Sequence, residues 1–142
     1  MKKILLLAAL LPLTLTSAAA EERHKVDMPP AAAEALRGEM LMKLQALHTV
    51  EAALAANRPA GAAEFAERHL GMGAMGQHAA LPPEARPGRY APDAMLALGR
   101  QSHRHGSELA EALKAEDRAR IDAALRDVTA TCVACHSTYR IH

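Results

Sequence analysis

The chain has 142 residues, of which 17 are Lys or Arg and 16 are Asp or Glu, and its formal net charge at pH 7 is +1. No basic stripe runs along it, and Phe65, Tyr90 and Tyr139 are its only aromatic residues, so we expect no nucleic-acid partner. Strong helix formers (Ala, Leu, Met, Glu and Arg) dominate, and the β-branched and aromatic residues that favour strands are scarce, which predicts an all-α fold.

Residues 1–20, MKKILLLAALLPLTLTSAAA, have the three parts of a secretory signal peptide. A basic start precedes an apolar core that is too short to span a bilayer, and three alanines form a small-residue cleavage site. A membrane anchor is the alternative, but hydroxyl residues interrupt the apolar run early. We expect cleavage after Ala20, which leaves residues 21–142 as one small domain with a net charge of about −1.

The rest of the chain contains no stretch that is long and apolar enough to cross a membrane, so we expect no membrane span after signal cleavage. The paired lysines at the start and the short apolar core are typical of bacterial signal peptides. These features predict that the protein resides in the periplasm, an oxidising compartment.

Four helical segments are predicted in the domain. The first covers residues 30–57, and the second covers residues 60–80 with three glycines that favour a break near its end. A proline-rich crossover at residues 81–92 leads to the third helix at residues 93–114. After a very short turn, the fourth helix runs from about residue 117 to about residue 139.

In the last two helices, successive predicted core positions are alternately four and three residues apart. This spacing is typical of antiparallel helices that pack at a shallow angle. With the short turn between them, this predicts an antiparallel up-down four-helix bundle. The predicted core positions are Leu36, Met40, Leu44, Leu47, Val50 and Leu54 in the first helix, Ala62, Phe65, His69, Met72 and Gly76 in the second, Met95, Gly99, Ser102, Gly106, Leu109 and Leu113 in the third, and Ile121, Leu125, Val128, Cys132, Cys135 and Tyr139 in the fourth.

The only two cysteines, Cys132 and Cys135, lie about one helical turn apart, and His136 follows directly. A dithiol redox site is one interpretation, but such sites usually begin a helix that follows a strand. A zinc site is a second, but the sequence has no further Cys/His cluster with ligand spacing. The third is covalent haem, because Cys-x-x-Cys-His attaches c-type haem through both thiols and the histidine ligates the iron. The predicted export favours this third interpretation.

The segment CVACHSTYR resembles the motif of the cytochrome c-prime family, including its low-spin methionine-ligated relatives. The family pattern Cys-x-x-Cys-His-x-x-Tyr-Arg is matched at Cys132, Cys135, His136, Tyr139 and Arg140. The preceding LAEALKAEDRARIDAALRDVTATC is similar to the helix-turn-helix that leads to the motif. The resemblance covers essentially the whole domain, although only its last third is specific, and the chain departs from the family in its few aromatic residues and several extra histidines.

This resemblance implies a four-helix bundle that encloses one covalently attached haem c. Cys132 and Cys135 would form the thioethers, and His136 would be the axial ligand of the iron. Arg140 would lie near the haem. The alternative is that Arg140 is solvent-exposed and that its positive charge interacts favourably with the dipole at the end of the fourth helix. Family members often dimerise through their first two helices, so we include a homodimer among the expected assemblies.

The resemblance also places the sixth iron position against the first helix. An apolar side chain blocks this position in high-spin members, and a methionine ligates the iron in low-spin relatives. Met40 lies on the predicted core stripe within RGEML, a segment similar to the family's distal segment, and Leu41 is the adjacent candidate. Met42 points roughly opposite to Met40. Core packing remains the alternative role for Met40.

Histidine is the other candidate for the sixth ligand. The four histidines on or beside the predicted stripes are His48, His69, His103 and His105.

The small residues Gly99, Ser102 and Gly106 on the third helix have two interpretations. They either leave room for a haem or allow a neighbouring helix to pack closely.

Two function classes follow from the sixth position. If Met40 is a ligand, the protein is a one-electron carrier that exchanges electrons with a periplasmic redox partner protein. If it only packs, the protein is a five-coordinate haem protein whose ligand is nitric oxide or carbon monoxide. We favour electron transfer and expect no enzymatic activity, because no general-base constellation is apparent.

Overall fold

The structure is a computed structural model, and it describes residues 22–142. The predicted signal peptide, residues 1–20, lies outside the described residues, as does the first residue of the predicted domain. Within residues 22–142, none of the helices combines the length and the apolarity that a bilayer span requires.

Four α-helices form the all-α bundle that the sequence predicts: α1 at Pro30–Ala55, α2 at Ala63–His69, α3 at Asp93–Lys114 and α4 at Arg118–Thr138. Pro30 is suited to the first turn of α1 because that position needs no backbone N–H donor. The backbone N–H of Arg120 donates to Asp117 Oδ1 at 3.1 Å, which satisfies one unpaired donor at the start of α4.

The turn between α3 and α4 contains only three residues, which makes the two helices antiparallel neighbours. Glu116 reverses the chain there with φ of 54°. The contact between α3 and α4 is the most extensive between two elements of the described structure. The sequence-based prediction of an antiparallel pair is confirmed.

The second helix is much shorter than the predicted segment at residues 60–80. A 3-10 turn at Pro59–Ala62 leads into the seven residues of α2, and a second 3-10 turn at Met72–Ala74 follows it. The helix ends where the Glu67 side chain folds back and accepts a hydrogen bond from the Gly73 backbone N–H at 2.8 Å. The glycines therefore end the helix earlier than the composition of the segment suggests.

The crossover between α2 and α3 is irregular, as predicted. Its prolines begin two further 3-10 turns, at Pro83–Ala85 and Pro87–Arg89.

A short parallel strand pair, which the sequence did not predict, joins the two ends of the domain. Strand β1 at His24–Lys25 pairs with β2 at Tyr139–Arg140, and Val26 N–H donates to the carbonyl oxygen of Arg140 at 2.8 Å. Because Tyr139 adopts an extended conformation, α4 ends one residue earlier than predicted. The segment after the cysteine motif is thereby fixed against the segment before α1.

The packed core includes buried residues of all four helices, and Cys132 of the motif packs against it. Its largest fully buried side chains are Leu109, Leu113, Ile121, Val50 and Val128. Alanines supply most of the remaining buried apolar residues. The large apolar residues Leu36, Met40 and Met95, which lie near the motif, are only partly buried.

The buried face of α1 differs from the predicted stripe. Leu44, predicted as core, is 64% exposed, whereas the adjacent Lys43 is only 8% exposed. Ala46 and Val50 continue the buried face. The stripe is displaced because Lys43 has ionic and hydrogen-bonding partners inside the bundle, which hydrophobic periodicity does not detect.

Gly106 of α3 packs directly against the backbone that follows α2. A Cβ atom at this position would lie 2.2 Å from the carbonyl oxygen of Leu70. Of the two interpretations of the small residues on α3, close packing therefore applies to Gly106. At Gly99 the same added atom would meet nothing within 4 Å, so that position faces open space.

We expect Gly106→Ala to destabilise the protein by about 1–3 kcal/mol, because the added methyl group overlaps backbone atoms that cannot move independently. Urea unfolding of the variant and the wild type at equal haem content measures the difference. Gly38→Ala is the matched control, since its added Cβ meets nothing within 4 Å, and it should be neutral or stabilising by up to about 1 kcal/mol. Equal stability of Gly106→Ala and the control would contradict the packing argument.

Candidate functional site

The cysteine motif occupies the last two turns of α4. Cys132 and Cys135 are separated by about 4.5 Å along the helix axis, and both are free and half-buried. Cys132 packs against the core. His136, which directly follows Cys135, is exposed. Both thiols therefore lie on one side of α4 with the imidazole beside them.

Burial raises the pKa of both thiols. For Cys135 the neighbouring Cys132 raises the pKa further, and the Lys43 ammonium opposes the increase at both positions. The two cysteines are therefore neutral thiols at neutral pH. A catalytic dithiol needs the opposite, a lowered thiol pKa that stabilises the thiolate.

The strand pair holds the residues that follow the motif. Arg23 Nη1 donates to the backbone carbonyl oxygen of His136 at 3.3 Å. Arg140 Nη2 lies 3.3 Å from Glu22 Oε1, and Arg140 Nη1 donates to the carbonyl oxygen of His142 at 2.8 Å. The segment before α1 thus fixes the end of α4 at the motif.

Two adjoining cavities, each of about 270 Å³, separate the motif from α1. They share four lining side chains, those of Leu36, Met40, Met95 and Cys135. We call the first the His136 cavity; its lining also includes Arg23, Arg37, His136, Tyr139 and Arg140. We call the second the Lys43 cavity; its lining also includes Glu39, Lys43, His78, Gly99 and His103.

Met40 is placed at the junction of these cavities, opposite the motif. It is half-buried and lines both cavities together with Cys135. Leu41, the other candidate for the distal position, is 56% exposed. Met42 is half-buried, but it is absent from the linings of the two cavities. The structure therefore brings Met40, Cys135 and His136 to one site.

The candidate histidines are not equivalent. His69 packs against Phe65 with the rings tilted and their centroids 4.3 Å apart, and His105 Nδ1 lies 3.0 Å from Thr131 Oγ1 on α4. His48 is exposed on α1. His103 alone among the four predicted histidines lines a cavity at the site.

A polar cluster, formed by Glu39, Lys43, His78 and His103, lies on the wall of the Lys43 cavity; Lys43 and His103 are buried, and Glu39 and His78 are half-buried. Lys43 Nζ is 3.2 Å from Glu39 Oε1, and His78 Nε2 is 2.9 Å from Glu39 Oε2. Lys43 Nζ also lies 3.5 Å from His103 Nε2. Sequence reasoning missed three of these residues because the apolar stripe excludes charged side chains; the Glu39–Lys43 spacing of four residues was the available signal.

The protonation state of this cluster follows from its hydrogen bonds. His103 Nδ1 lies 2.9 Å from the Gly71 carbonyl oxygen, so Nδ1 carries the hydrogen and Nε2 is the acceptor that faces Lys43. Burial and the Lys43 ammonium lower the pKa of His103. Burial alone would raise the pKa of Glu39, but Lys43 and His78 outweigh it and hold that pKa below its ordinary value. The cluster therefore contains an ionised Glu39 beside a neutral His103.

The residues at the site fit a c-type haem. Two free thiols and an adjacent imidazole supply the donor set of covalent haem attachment. The shared lining is apolar, and the space at Gly99 is open. Three guanidinium groups on the His136 cavity suit the carboxylates of such a cofactor.

The alternative metal interpretation has no comparable set of ligands. Among residues 22–142, no group of three or more His, Cys, Asp or Glu side chains is arranged to hold a metal ion. A zinc site at the cysteines would need two further ligands.

Comparison with known proteins identifies the family. The family model described as Cytochrome C' matches residues 31–140, which include the whole motif and all four helices except the first residue of α1. No curated protein and no solved structure gives a significant match. The family match agrees with the fold and with the donor set at the end of α4. The chain therefore belongs to the cytochrome c′ family and is a haem-binding c-type cytochrome.

Proposed function

We propose that the protein is a periplasmic electron carrier that holds one haem c covalently between α1 and α4. The observation that carries the proposal is the placement of Met40, which lines the same two cavities as Cys135. The signal-like residues 1–20 support export. The reaction partner is a periplasmic redox protein, and we assign no catalytic residue.

Cys132 and Cys135 hold the cofactor through thioethers. Cys132 and Cys135 would each supply one thiol for addition to a vinyl group of the cofactor, which would take up both the sulfur and the thiol hydrogen. The addition involves no net oxidation, but it requires both cysteines to be reduced. Their free state and raised pKa are consistent with this requirement.

His136 and Met40 would hold the iron of the cofactor in this proposal, since both line the His136 cavity. When bound, the haem supplies an iron that exchanges one electron between its ferrous and ferric forms. A methionine thioether raises the reduction potential relative to a second histidine. Because Met40 lies on α1 and His136 on α4, the two ligands also link helices that make few direct contacts with each other.

Arginine side chains would bind the carboxylate groups of the cofactor. Arg23, Arg37 and Arg140 line the His136 cavity. Guanidinium groups pair with carboxylates through two parallel hydrogen bonds, which fixes orientation as well as charge. Arg140 therefore has a cofactor-binding role in this proposal.

Gas binding is the second candidate function, and the open space beside Met40 is the observation that favours it. The Lys43 cavity extends from Met40 to Gly99, where an added Cβ meets nothing within 4 Å. If the thioether does not reach the iron, this space can accept nitric oxide or carbon monoxide. The protein would then be five-coordinate and high-spin.

An optical spectrum of the reduced protein, recorded before and after addition of carbon monoxide, distinguishes the two functions. We expect a low-spin spectrum that carbon monoxide does not change, because Met40 occupies the sixth position. A high-spin spectrum that shifts on addition of carbon monoxide would replace electron transfer by gas binding. A protein without covalent haem would refute both.

A further inference from the structure

Lys43 places a positive charge inside the bundle. It is 8% exposed, whereas the other lysines of residues 22–142, Lys25 and Lys114, are exposed. A buried ammonium is costly unless it is paired and hydrogen-bonded. Glu39 Oε1 at 3.2 Å and His103 Nε2 at 3.5 Å provide these partners. The charge is therefore held in one place on the wall of the Lys43 cavity.

This charge lies beside the cofactor attachment site. Lys43 lines the same cavity as Cys135 and Met40. Glu39 is the counter-charge, and its second oxygen is occupied by His78 at 2.9 Å. His103 adds no charge, because its Nδ1 hydrogen is fixed on backbone carbonyl groups and its Nε2 accepts from Lys43.

We propose that Lys43 raises the reduction potential of the haem by holding a fixed positive charge at its cavity wall, and that Glu39 opposes it. The inference rests on the proposed function, which puts a haem in this cavity. The ferric state carries one more positive charge than the ferrous state. A nearby ammonium therefore destabilises the ferric state, and the low dielectric of a buried site strengthens the effect.

Redox titration of the purified haem-loaded protein tests the proposal. Lys43→Gln should shift the one-electron reduction equilibrium about tenfold toward the ferric state, which corresponds to about 59 mV lower potential. Lys43→Arg keeps the charge and should remain near the wild-type potential. Lys114→Gln is the matched control, because it removes the same charge from the end of α3 that lies opposite the motif, and it should shift the potential little.

Glu39→Gln gives a second test with the opposite sign. Removing the counter-charge should raise the potential, and the Glu39→Gln, Lys43→Gln double variant should lie between the two single variants. This test remains informative if Lys43→Gln does not fold.

The outcomes separate this inference from the proposed function. If Lys43→Gln retains covalent haem, has the wild-type spectrum and has an unchanged potential, the inference is wrong and the proposed function stands. The inference is also wrong if Glu39→Gln lowers the potential. Absence of covalent haem from the wild type would overturn both.

Discussion

Replacing Cys132 and Cys135 together with alanine should abolish covalent haem attachment completely. The two thiols are the only cysteines in the chain, so no other side chain can form a thioether. Both are free and half-buried, and Cys135 lines the two cavities that separate α4 from α1, whereas Cys132 packs against the core. Haem staining of a denaturing gel, together with the intact mass of the purified protein, measures the loss.

Val133→Ala is the matched control for the cysteine variant. Val133 lies between the cysteines, is 66% exposed, and its replacement leaves the Cys-x-x-Cys-His motif intact. This variant should stain for haem like the wild type, with a mass that exceeds that of the polypeptide by one haem. Haem that survives denaturation in the double cysteine variant would refute the attachment site.

The sequence predicted the helical architecture where local signals were strong. The predicted bounds of α3 agree with the structure, and the short turn at Glu116 correctly predicted an antiparallel neighbour. The second helix was predicted too long, because composition does not show that Glu67 folds back onto Gly73. The strand pair was not predicted, since two-residue strands leave no periodic pattern.

The site was predictable where it depends on contiguous residues. The motif from Cys132 to His136 could be read directly from the chain. The polar cluster could not, because Lys43 and His103 are 60 positions apart and meet only when α1 and α3 pack around the cavity. For the same reason the sequence could not distinguish His103 from His69 and His105, which have partners elsewhere in the bundle.

The cavity also has a physical basis that only the packed structure reveals. Leu109 and Ile121 are fully buried near the α3–α4 turn, whereas apolar residues that line the cavity, such as Leu36, are only partly buried. Gly106 serves close packing, whereas Gly99 faces open space. Both glycines are small residues on one predicted stripe, so their different roles depend on which backbone approaches them.

Met40→Ala should convert a low-spin, six-coordinate protein into a high-spin protein that binds carbon monoxide. Met40 lines both cavities with Cys135, and its flexible thioether supplies a sulfur atom there. Of these two cavities, Glu39 and Lys43 line only the Lys43 cavity, and they pair with each other. Alanine removes that atom and enlarges the open space toward Gly99. Optical spectra of the reduced variant, with and without carbon monoxide, measure the change.

Met42→Ala is the control for this variant, because Met42 is absent from the linings of both cavities and loses the same side-chain atoms. Its spectrum should remain low-spin and unaffected by carbon monoxide. If the wild type is already high-spin and binds carbon monoxide, Met40 only packs and the gas-binding function replaces electron transfer. If the wild type is low-spin and Met40→Ala leaves the spectrum unchanged, another residue is the ligand. His103 is then the first to replace, because it lines the Lys43 cavity and its Nε2 carries no hydrogen.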